Sequence, residues 1–410
     1  MQEKARVPAI RFAGFTDAWE QRKLTDFAEF FSGLTYTPAD VRTSGTLVLR
    51  SSNVSNGEIV DADNVFVDGT VVNSENVQEG DIIIVVRNGS RALIGKHAQI
   101  KRFMPNTVIG AFMAGLRTQC PEFANALLNT RRFDEEVSKN MGATINQITG
   151  YMFSKMEFFI PGHEEQKRIG TFFCHLDHLI TLHQRKYSRL CNVKKSMLER
   201  MFLKDGASVP EIRFAGFADA WEQRKLGEIS RSFEYGLNAA ATTYDGKNRY
   251  VRITDIDDET RLFSTADLTS PDIDLKSAEN YRLQEGDIVF ARTGASVGKT
   301  YIYKPSDGIM YYAGFLIRAR IQPEYSADFV FQNTLTEQYR KFVAITSQRS
   351  GQPGINAQEY STFEFSVPSY AEQQQIGAFF RHLDHLITLH QRELERLQNI
   401  KKSCLEKMFV

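Results

Sequence analysis

The sequence has few cysteines and no excess of charge of either sign. Its four cysteines, Cys120, Cys174, Cys191 and Cys404, are scattered and form no CxxC pair, which excludes a disulfide framework and a zinc site of that type. Lysine plus arginine (50) equals aspartate plus glutamate (50), so the net charge supplies no general attraction to nucleic acid or to an anionic membrane. Any such binding must come from local separation of charge.

Long apolar runs are also missing. No stretch approaches the roughly 20 residues that span a bilayer, and the first residues lack the apolar core of a signal peptide. These absences predict a soluble, cytoplasmic protein that has no membrane partner.

Catalytic and nucleotide-binding motifs are absent as well. Gly294–Thr300 (GASVGKT) resembles a phosphate loop, but three residues separate its glycines where that loop has four, and the related stretch Gly89–Gly95 has five. No GxSxG or HExxH motif occurs, nor do the motifs of a metal-dependent nuclease or an adenine methyltransferase. The sequence therefore predicts a chain without catalytic residues, a bound metal or a cofactor of its own.

What the sequence does contain is a tandem repeat. Val7–Leu24 returns as Val209–Leu226 with two differences, and His175–Arg185 returns unchanged as His382–Arg392. The stretches between these blocks share only short islands, so we predict two near-identical frames around two divergent inserts. The predicted divisions are an N-terminal frame at 1–24, a first insert at 25–162, a central helix at 163–204, the repeated frame at 205–226, a second insert at 227–369 and a C-terminal helix at 370–410.

Apolar residues at heptad spacing predict one long helix in each repeat. Ser369 followed by Glu372 predicts a capping box at the start of the second helix. Each apolar stripe needs a partner, and the two helices can pair with each other in antiparallel fashion. The first stripe comprises Ile169, Phe172, Leu176, Leu179, Leu190, Val193 and Met197, and the copy keeps it from Ile376 to Cys404.

The helices also repeat polar residues that pairing alone does not require. His175, His178 and His183 with Asp177 have two interpretations, as metal ligands or as polar residues that set the register or face a partner. A second surface, used once by each copy to bind another protein subunit, would explain the shared polar residues. The predicted docking residues are Gln184, Arg185, Lys194 and Lys195 with their copies Gln391, Arg392, Lys401 and Lys402.

The sequence of each insert predicts a compact α+β unit. Along each insert, a stretch rich in acidic residues is followed by a stretch rich in basic residues. Short β-rich runs occur at Ile82–Val86 and Ile288–Ala291, and amphipathic stretches at Glu122–Ser138 and Ala327–Val343. Ser51–Val86 holds seven acids and no lysine or arginine, whereas Arg87–Pro121 holds six basic residues and no acid; the second insert repeats the change at Arg292. The loops at these changes, RNGS and RTGAS, suit contact with base edges or phosphates, although ordinary hairpin turns with solvated charges are the alternative.

Four features together resemble the specificity subunit of type I restriction-modification systems. They are the frame, the island Glu285–Lys299 (EGDIVFARTGASVGK), the PxxxEQxxI helix start and the duplicated helix. The resemblance covers nearly the whole chain. It implies two β-rich target recognition domains, the inserts, separated by two long antiparallel coiled-coil helices in a pseudo-two-fold repeat. It also implies docking of two modification (methyltransferase) subunits and of restriction subunits, which would bind S-adenosylmethionine, ATP and magnesium.

Two different reading domains at a fixed spacing are expected to recognise a bipartite, asymmetric site in double-stranded DNA. The alternative is a coiled-coil interaction scaffold whose two inserts bind ligands other than DNA. The candidate DNA contacts are Arg50, Arg87, Asn88, Arg91 and Lys96 in the first insert and Arg252, Arg292, Thr293, Ser296, Lys299 and Gln352 in the second.

Overall fold

A computed structural model describes residues 7–141, 146–153, 155–204, 206–348 and 351–410. The contacts divide the chain into two units, one running up to His183 together with Arg392–Val410, the other comprising Gln184–Gln391. Residues 1–6 of the predicted N-terminal frame and Asp205 of the repeated frame lie outside the described residues.

Among its described residues, the first unit contains three short α-helices and twelve strands. Helices α1 to α3 are Pro121–Leu128, Arg131–Asn140 and Gly150–Phe153. Strands β1 to β12 are Glu20–Lys23, Glu29–Ser32, Val41–Arg42, Thr46–Leu49, Val54–Ser55, Glu58–Ile59, Val65–Val67, Ile82–Val85, His97–Gln99, Thr107–Ile109, Met113–Arg117 and Glu157–Ile160. One sheet is antiparallel and four-stranded, with the strand order β2-β11-β8-β9. A second sheet has the order β10-β4-β7-β3, in which β10 lies parallel to β4.

Strand β8 shows why this sheet is buried on both faces. Successive side chains of a strand point to opposite faces, and all four residues of Ile82–Val85 are apolar and fully buried. Ile82 and Ile84 enter the larger core with Leu116, while Ile83 and Val85 enter a separate core. The predicted strand at Ile82–Val86 is thus confirmed to within one residue.

The second unit repeats this plan. Its strands β13 to β22 are Glu222–Lys225, Ser230–Tyr235, Ala241–Thr243, Asn248–Val251, Thr269–Pro271, Ile288–Ala291, Thr300–Ile302, Ile309–Tyr312, Leu316–Ile321 and Glu364–Val367. The four-stranded sheet has the strand order β14-β21-β18-β19. Strand β18 lies at Ile288–Ala291, as predicted, and its side chains alternate between two cores in the same way. Helices α5 to α7 are Ala327–Asn333, Glu337–Thr346 and Ala357–Ser361. The long helices α4 (His163–Met201) and α8 (Tyr370–Met408) each contribute residues to both units.

The two predicted long helices are present, and each has 39 residues. In the first unit the start of α4 packs against the end of α8, where Lys401 forms an ion pair of 2.6 Å with Asp177. In the second unit the end of α4 packs against the start of α8, where Lys194 pairs with Asp384 at 2.7 Å. The ring centroids of Phe173 and Phe409 are 5.9 Å apart in the first unit, and those of Phe202 and Phe380 are 5.8 Å apart in the second. Within each unit the helix segments therefore run antiparallel, as predicted.

Two details of the helices differ from the prediction. The capping box of α8 is half formed: the Ser369 hydroxyl accepts from the Glu372 N–H (3.4 Å), but the Glu372 carboxylate accepts from Arg213 instead of the cap backbone. Leu179, assigned to the apolar stripe, is 41% exposed because the buried stripe passes through Phe173 and Leu176.

Each amphipathic stretch of the inserts forms two helices rather than one. In the first insert Thr130 follows the end of α1 and caps α2, and its hydroxyl accepts from the Phe133 N–H at 3.3 Å. Thr336 does the same between α5 and α6, with the Tyr339 N–H as donor at 3.4 Å. A threonine side chain that bonds the backbone favours a helix start over a helix interior, which explains the breaks.

Glycine allows each long helix to approach its neighbour closely. A Cβ on Gly170 would lie 2.7 Å from the backbone nitrogen of Phe123, and a Cβ on Gly377 would lie 2.9 Å from the Cβ of Asp328. The helix accepts the roughly 1 kcal/mol that an internal glycine costs relative to alanine. The inserts can therefore pack directly on the helix starts.

Candidate nucleic-acid interface

The β8–β9 and β18–β19 hairpins end in polar loops, here called the first tip loop (87–96) and the second tip loop (292–299). The arginine that opens each loop is held in the same way. The Arg87 N–H donates to the carbonyl of Phe112 at 3.2 Å, and the Arg292 N–H donates to the carbonyl of Phe315 at 3.1 Å. The two loops thus leave their sheets at equivalent points.

A distant segment of the chain closes over each tip loop. In the first insert the Asn146 side chain donates to the carbonyl of Gly89 at 3.1 Å. In the second insert the Gly294 N–H donates to the carbonyl of Pro353 at 3.0 Å, and the Ile355 N–H donates to the carbonyl of Arg292 at 2.9 Å. Both loops are therefore ordered by the fold, which lowers the entropy cost of binding.

A short 3-10 turn lies beside each tip loop and begins after an arginine. The Arg50 N–H donates to the Asn53 side chain (2.9 Å), and the Arg252 N–H donates to Asp255 (2.8 Å). The Asn88 amide donates to the hydroxyl of Ser51 at 3.2 Å, which joins the first tip loop to its turn. The turn that follows Arg50 therefore lies against the first tip loop.

The predicted basic residues divide into those that are paired and those that are not. Arg50 pairs with Asp63 at 2.6 Å. Arg252 pairs with Asp255 at 2.8 Å and with Asp267 at 3.2 Å, and the hydrogen bonds to Asp255 raise the pKa of its guanidinium. In the described part of the chain, no carboxylate forms an ion pair with the other four predicted basic residues, Arg87, Arg91, Lys96 and Arg292. These four are here called the uncompensated cations.

Lys299 was predicted to contact DNA, and its position in the structure argues against that role. Its side chain is 6% exposed, and its ammonium pairs with Asp258 at 2.6 Å and donates to the carbonyl of Ile256 at 2.9 Å. A buried lysine with these partners holds the 253–258 turn against the second tip loop. We therefore remove Lys299 from the candidate DNA contacts.

The remaining predicted polar residues lie in or against the tip loops and differ in exposure and in their contacts. Asn88 uses both ends of its amide within the protein, since its oxygen also accepts from the Ser90 N–H at 2.9 Å. Thr293 and Ser296 are half-buried in the second tip loop, and Gln352 is exposed. The Gln352 amide nitrogen lies 3.0 Å from where a Cβ on Gly294 would be, so it lies against that loop.

Aromatic side chains at the tips were not among the predicted residues. The Arg87 guanidinium lies over the Phe112 ring at 5.0 Å, and the Arg292 guanidinium lies over the Tyr235 ring at 5.1 Å. The buried Nε of Arg292 has no hydrogen-bond partner among the described residues. The sequence clue to Phe112 and Phe315 was that each follows a Gly/Ala pair directly before a buried strand.

The predicted docking residues also divide into two groups. Gln184, Arg185 and Lys195 of α4 are exposed, as are Arg392 and Lys402 of α8, and Gln391 is half-buried. Lys194 and Lys401 are instead occupied by the ion pairs with Asp384 and Asp177 that join the helix segments. These two lysines are corrected from docking residues to helix-pairing residues.

A shallow groove follows the surface of each long helix at equivalent positions. The two grooves have volumes of about 560 and 550 Å³. The groove on α4 is lined by Gln184, Arg185, Ser188, Arg189, Asn192, Val193, Ser196 and Met197, and the groove on α8 by Arg392, Glu395, Arg396, Asn399, Ile400 and Ser403. Two arginines, an asparagine and a serine recur in both, together with Val193 or Ile400.

Two sequence features that suggested other chemistry have a different structural setting. The second tip loop leads into strand β19, whereas a phosphate loop leads into a helix, so its resemblance to a phosphate loop is superficial. Asp177, one of the alternative metal ligands, pairs with Lys401, and no metal-binding group of His, Cys, Asp or Glu occurs within the described ranges. Over the same ranges, no helix has the length and hydropathy needed to cross a membrane.

Comparison with known proteins gives a consistent result. The sequence matches the family described as "Type I restriction modification DNA specificity domain" twice, over residues 16–192 and 218–399. It is 22% identical over 413 residues to the type I restriction enzyme StySPI specificity subunit of Salmonella potsdam, covering 96% of this chain and 89% of that one. It is 23% identical over 383 residues to the EcoKI specificity subunit of Escherichia coli (strain K12), covering 88% and 81%.

The fold has a solved counterpart. The crystal structure of the type I restriction-modification S subunit from M. genitalium matches with a TM-score of 0.67 at 15% identity, covering 98% of this chain and 99% of that one. At this identity the likeness concerns the fold alone. The predicted α+β class, built as a tandem repeat, is confirmed.

Proposed function

Because the chain belongs to the family of type I restriction-modification specificity subunits, we propose that it selects the DNA target of such a complex, with its two inserts each reading one half of a bipartite, asymmetric site. The inserts, 25–162 and 227–369, act as target recognition domains. The observation that carries this proposal is the pair of equivalently placed tip loops, each ordered by the fold and each opened by an arginine that has no ion-pair partner among the described residues.

The two tips suit different base sequences. A guanidinium without an ion-pair partner can donate two hydrogen bonds to N7 and O6 of guanine, which is worth about 1–3 kcal/mol of discrimination. The loops that follow the two arginines differ, RNGSRALIGK in the first insert and RTGASVGK in the second. Loops that differ in length and side chains around a shared arginine favour two unlike half-sites.

Within each tip we assign roles by the contacts already made. The uncompensated cations and the second-insert residues Thr293, Ser296 and Gln352 contact DNA directly. Arg50 and Arg252 are held by carboxylates, so we assign their remaining donors to phosphate contacts that fix the register. Asn88 shapes the first tip loop for that contact.

The grooves on α4 and α8 are the proposed docking sites for two modification subunits, one per groove. Docking of the same kind of subunit at both grooves explains why exposed residues recur in the two helices, although helix pairing does not use those residues. The helices at 163–204 and 370–410 then act as a spacer that sets the gap between half-sites. Restriction subunits join this cytoplasmic complex, and S-adenosylmethionine, ATP and magnesium are bound by the partner subunits.

The experiment measures duplex binding by the chain assembled with its modification subunits. Once the methylated site is mapped, we expect Arg292→Ala to weaken binding or relax base preference at one half-site only. Arg282→Ala is the matched control: it is an exposed arginine of the same insert, located before β18 and away from the tip loop. An equal loss at both half-sites, or duplex binding without sequence preference in the unaltered complex, would contradict the proposal.

A further inference from the structure

The geometry points to Phe112 and Phe315 as base-contacting residues: we propose that each places its ring against the C5 edge of a pyrimidine next to the base held by the tip-loop arginine. The inference rests on the proposed reading of DNA by the two inserts and adds a residue pair to that site. It assigns an apolar contact to tips that otherwise offer polar donors.

Both rings are exposed to an unusual degree for phenylalanine. Phe112 is 55% exposed and Phe315 is 62% exposed. A single exposed apolar side chain needs no explanation, but these two occupy the same place in unlike inserts. Each is the residue whose carbonyl accepts the N–H of the tip-loop arginine, and each directly precedes an inner strand of its sheet, β11 or β21.

Backbone hydrogen bonds place each phenylalanine next to the tip-loop arginine of its insert. Phe112 accepts from both Val86 and Arg87, at 3.0 and 3.2 Å, so its position follows the end of strand β8. The residues before the rings are Gly110 and Ala111 in the first insert, and Ala313 and Gly314 in the second. Side chains this small leave both phenylalanines largely exposed, whereas the two tip loops differ in length and sequence.

The charges that lie near Phe112 along the chain suit an anionic partner. The stretch Arg87–Pro121 contains no acidic residue. The Arg87 guanidinium rests on the Phe112 ring at 5.0 Å, so the polar donors and the apolar ring are presented side by side. In the second insert Tyr235 supports the arginine, which leaves the Phe315 ring for the partner. A base edge beside a phosphate backbone offers both an apolar and an anionic surface.

The C5 position is the chemical feature that such a ring can distinguish. In the major groove thymine carries a methyl group there and cytosine carries a hydrogen, and every base pair contains one of the two. Burying a methyl group against an aromatic ring changes affinity by about fourfold. Adding or removing that methyl group leaves the hydrogen-bonding pattern of the base pair unchanged.

The test uses the complex of the full chain with its modification subunits and duplexes that carry the mapped site. One pyrimidine at a time is changed, thymine to uracil or cytosine to 5-methylcytosine, and binding is measured. For the unaltered complex we expect one position in each half-site to change affinity by about fourfold. Phe112→Ala should abolish the effect in one half-site, and Phe315→Ala should abolish it in the other.

Phe103→Ala is the matched control, because Phe103 is 76% exposed in the first insert and follows β9 at the end remote from the tip. It should leave both effects in place. The inference is overturned if no pyrimidine position responds, or if the response survives in Phe112→Ala and Phe315→Ala. If the unaltered complex shows no sequence-specific binding, the proposed function itself fails, and that outcome is visible before any variant is compared.

Discussion

Arg11 and Glu165 form a two-point ion pair that fastens the N-terminal frame to the first turn of α4. The distances from Nε to Oε1 and from Nη2 to Oε2 are both 2.7 Å, and the Glu165 side chain is 2% exposed. Arg213 and Glu372 repeat the pair at 2.7 and 2.8 Å in the second unit. The arginine of the frame sequence thus recurs because both copies hold the start of a long helix in the same way.

Removal of one partner should therefore be costly. Arg11→Ala leaves a buried carboxylate without its counter-charge, and we expect a loss of about 3–5 kcal/mol in the free energy of unfolding. Arg22→Ala is the control, because its ion pair with Glu20 is exposed and should contribute at most about 1 kcal/mol. Denaturant unfolding compares the two variants, and similar losses for both would refute the structural role of the buried pair.

The stability of the first unit should depend on pH through His97. Burial lowers the pKa of its imidazole, whose Nδ1 bonds the carbonyl of Gly95 at 3.0 Å. As pH falls below about 6.5, the unfolded chain binds a proton that the folded chain resists, so stability falls. His97→Gln should reduce this loss, as measured by unfolding midpoints between about pH 8 and pH 5.5. Parallel declines for the variant and the unaltered chain would rule out His97 as the cause.

Docking can be tested one helix at a time. Arg185→Glu and Arg392→Glu each reverse a charge in one groove, so each variant should bind one modification subunit where the unaltered chain binds two. Native mass spectrometry counts the subunits. Lys186→Glu is the control, because Lys186 is exposed but its copy is Glu393, so the position is not shared. Retention of two subunits by both groove variants would exclude these grooves as the docking sites.

Much of the fold followed from the sequence because local patterns determine it. The heptad stripe from Ile169 to Met197 predicted α4, and the apolar run at Ile288–Ala291 predicted a strand. The paired helices in each amphipathic stretch were missed because a capping threonine and an internal threonine look alike in sequence. Leu179 was misplaced because a heptad pattern alone does not tell which of two adjacent stripes is covered.

The candidate site was less predictable because its properties depend on distant residues. Lys299 looks like a loop cation, and only the fold brings Asp258 and the carbonyl of Ile256 to its ammonium. Lys194 and Lys401 were assigned to a surface for the same reason. Phe112 and Phe315 were overlooked because exposure of an apolar residue is a tertiary property with little trace in sequence.

Exchange of residues 25–162 for the first insert of another specificity subunit tests the central claim most directly. Methylated positions are then mapped across the genome of cells that carry the hybrid chain with its modification subunits. We predict that one half of the target changes, while the other half and the length of the gap stay the same. A change in both halves, or a change in the gap, would contradict the assignment of one reading domain to each insert.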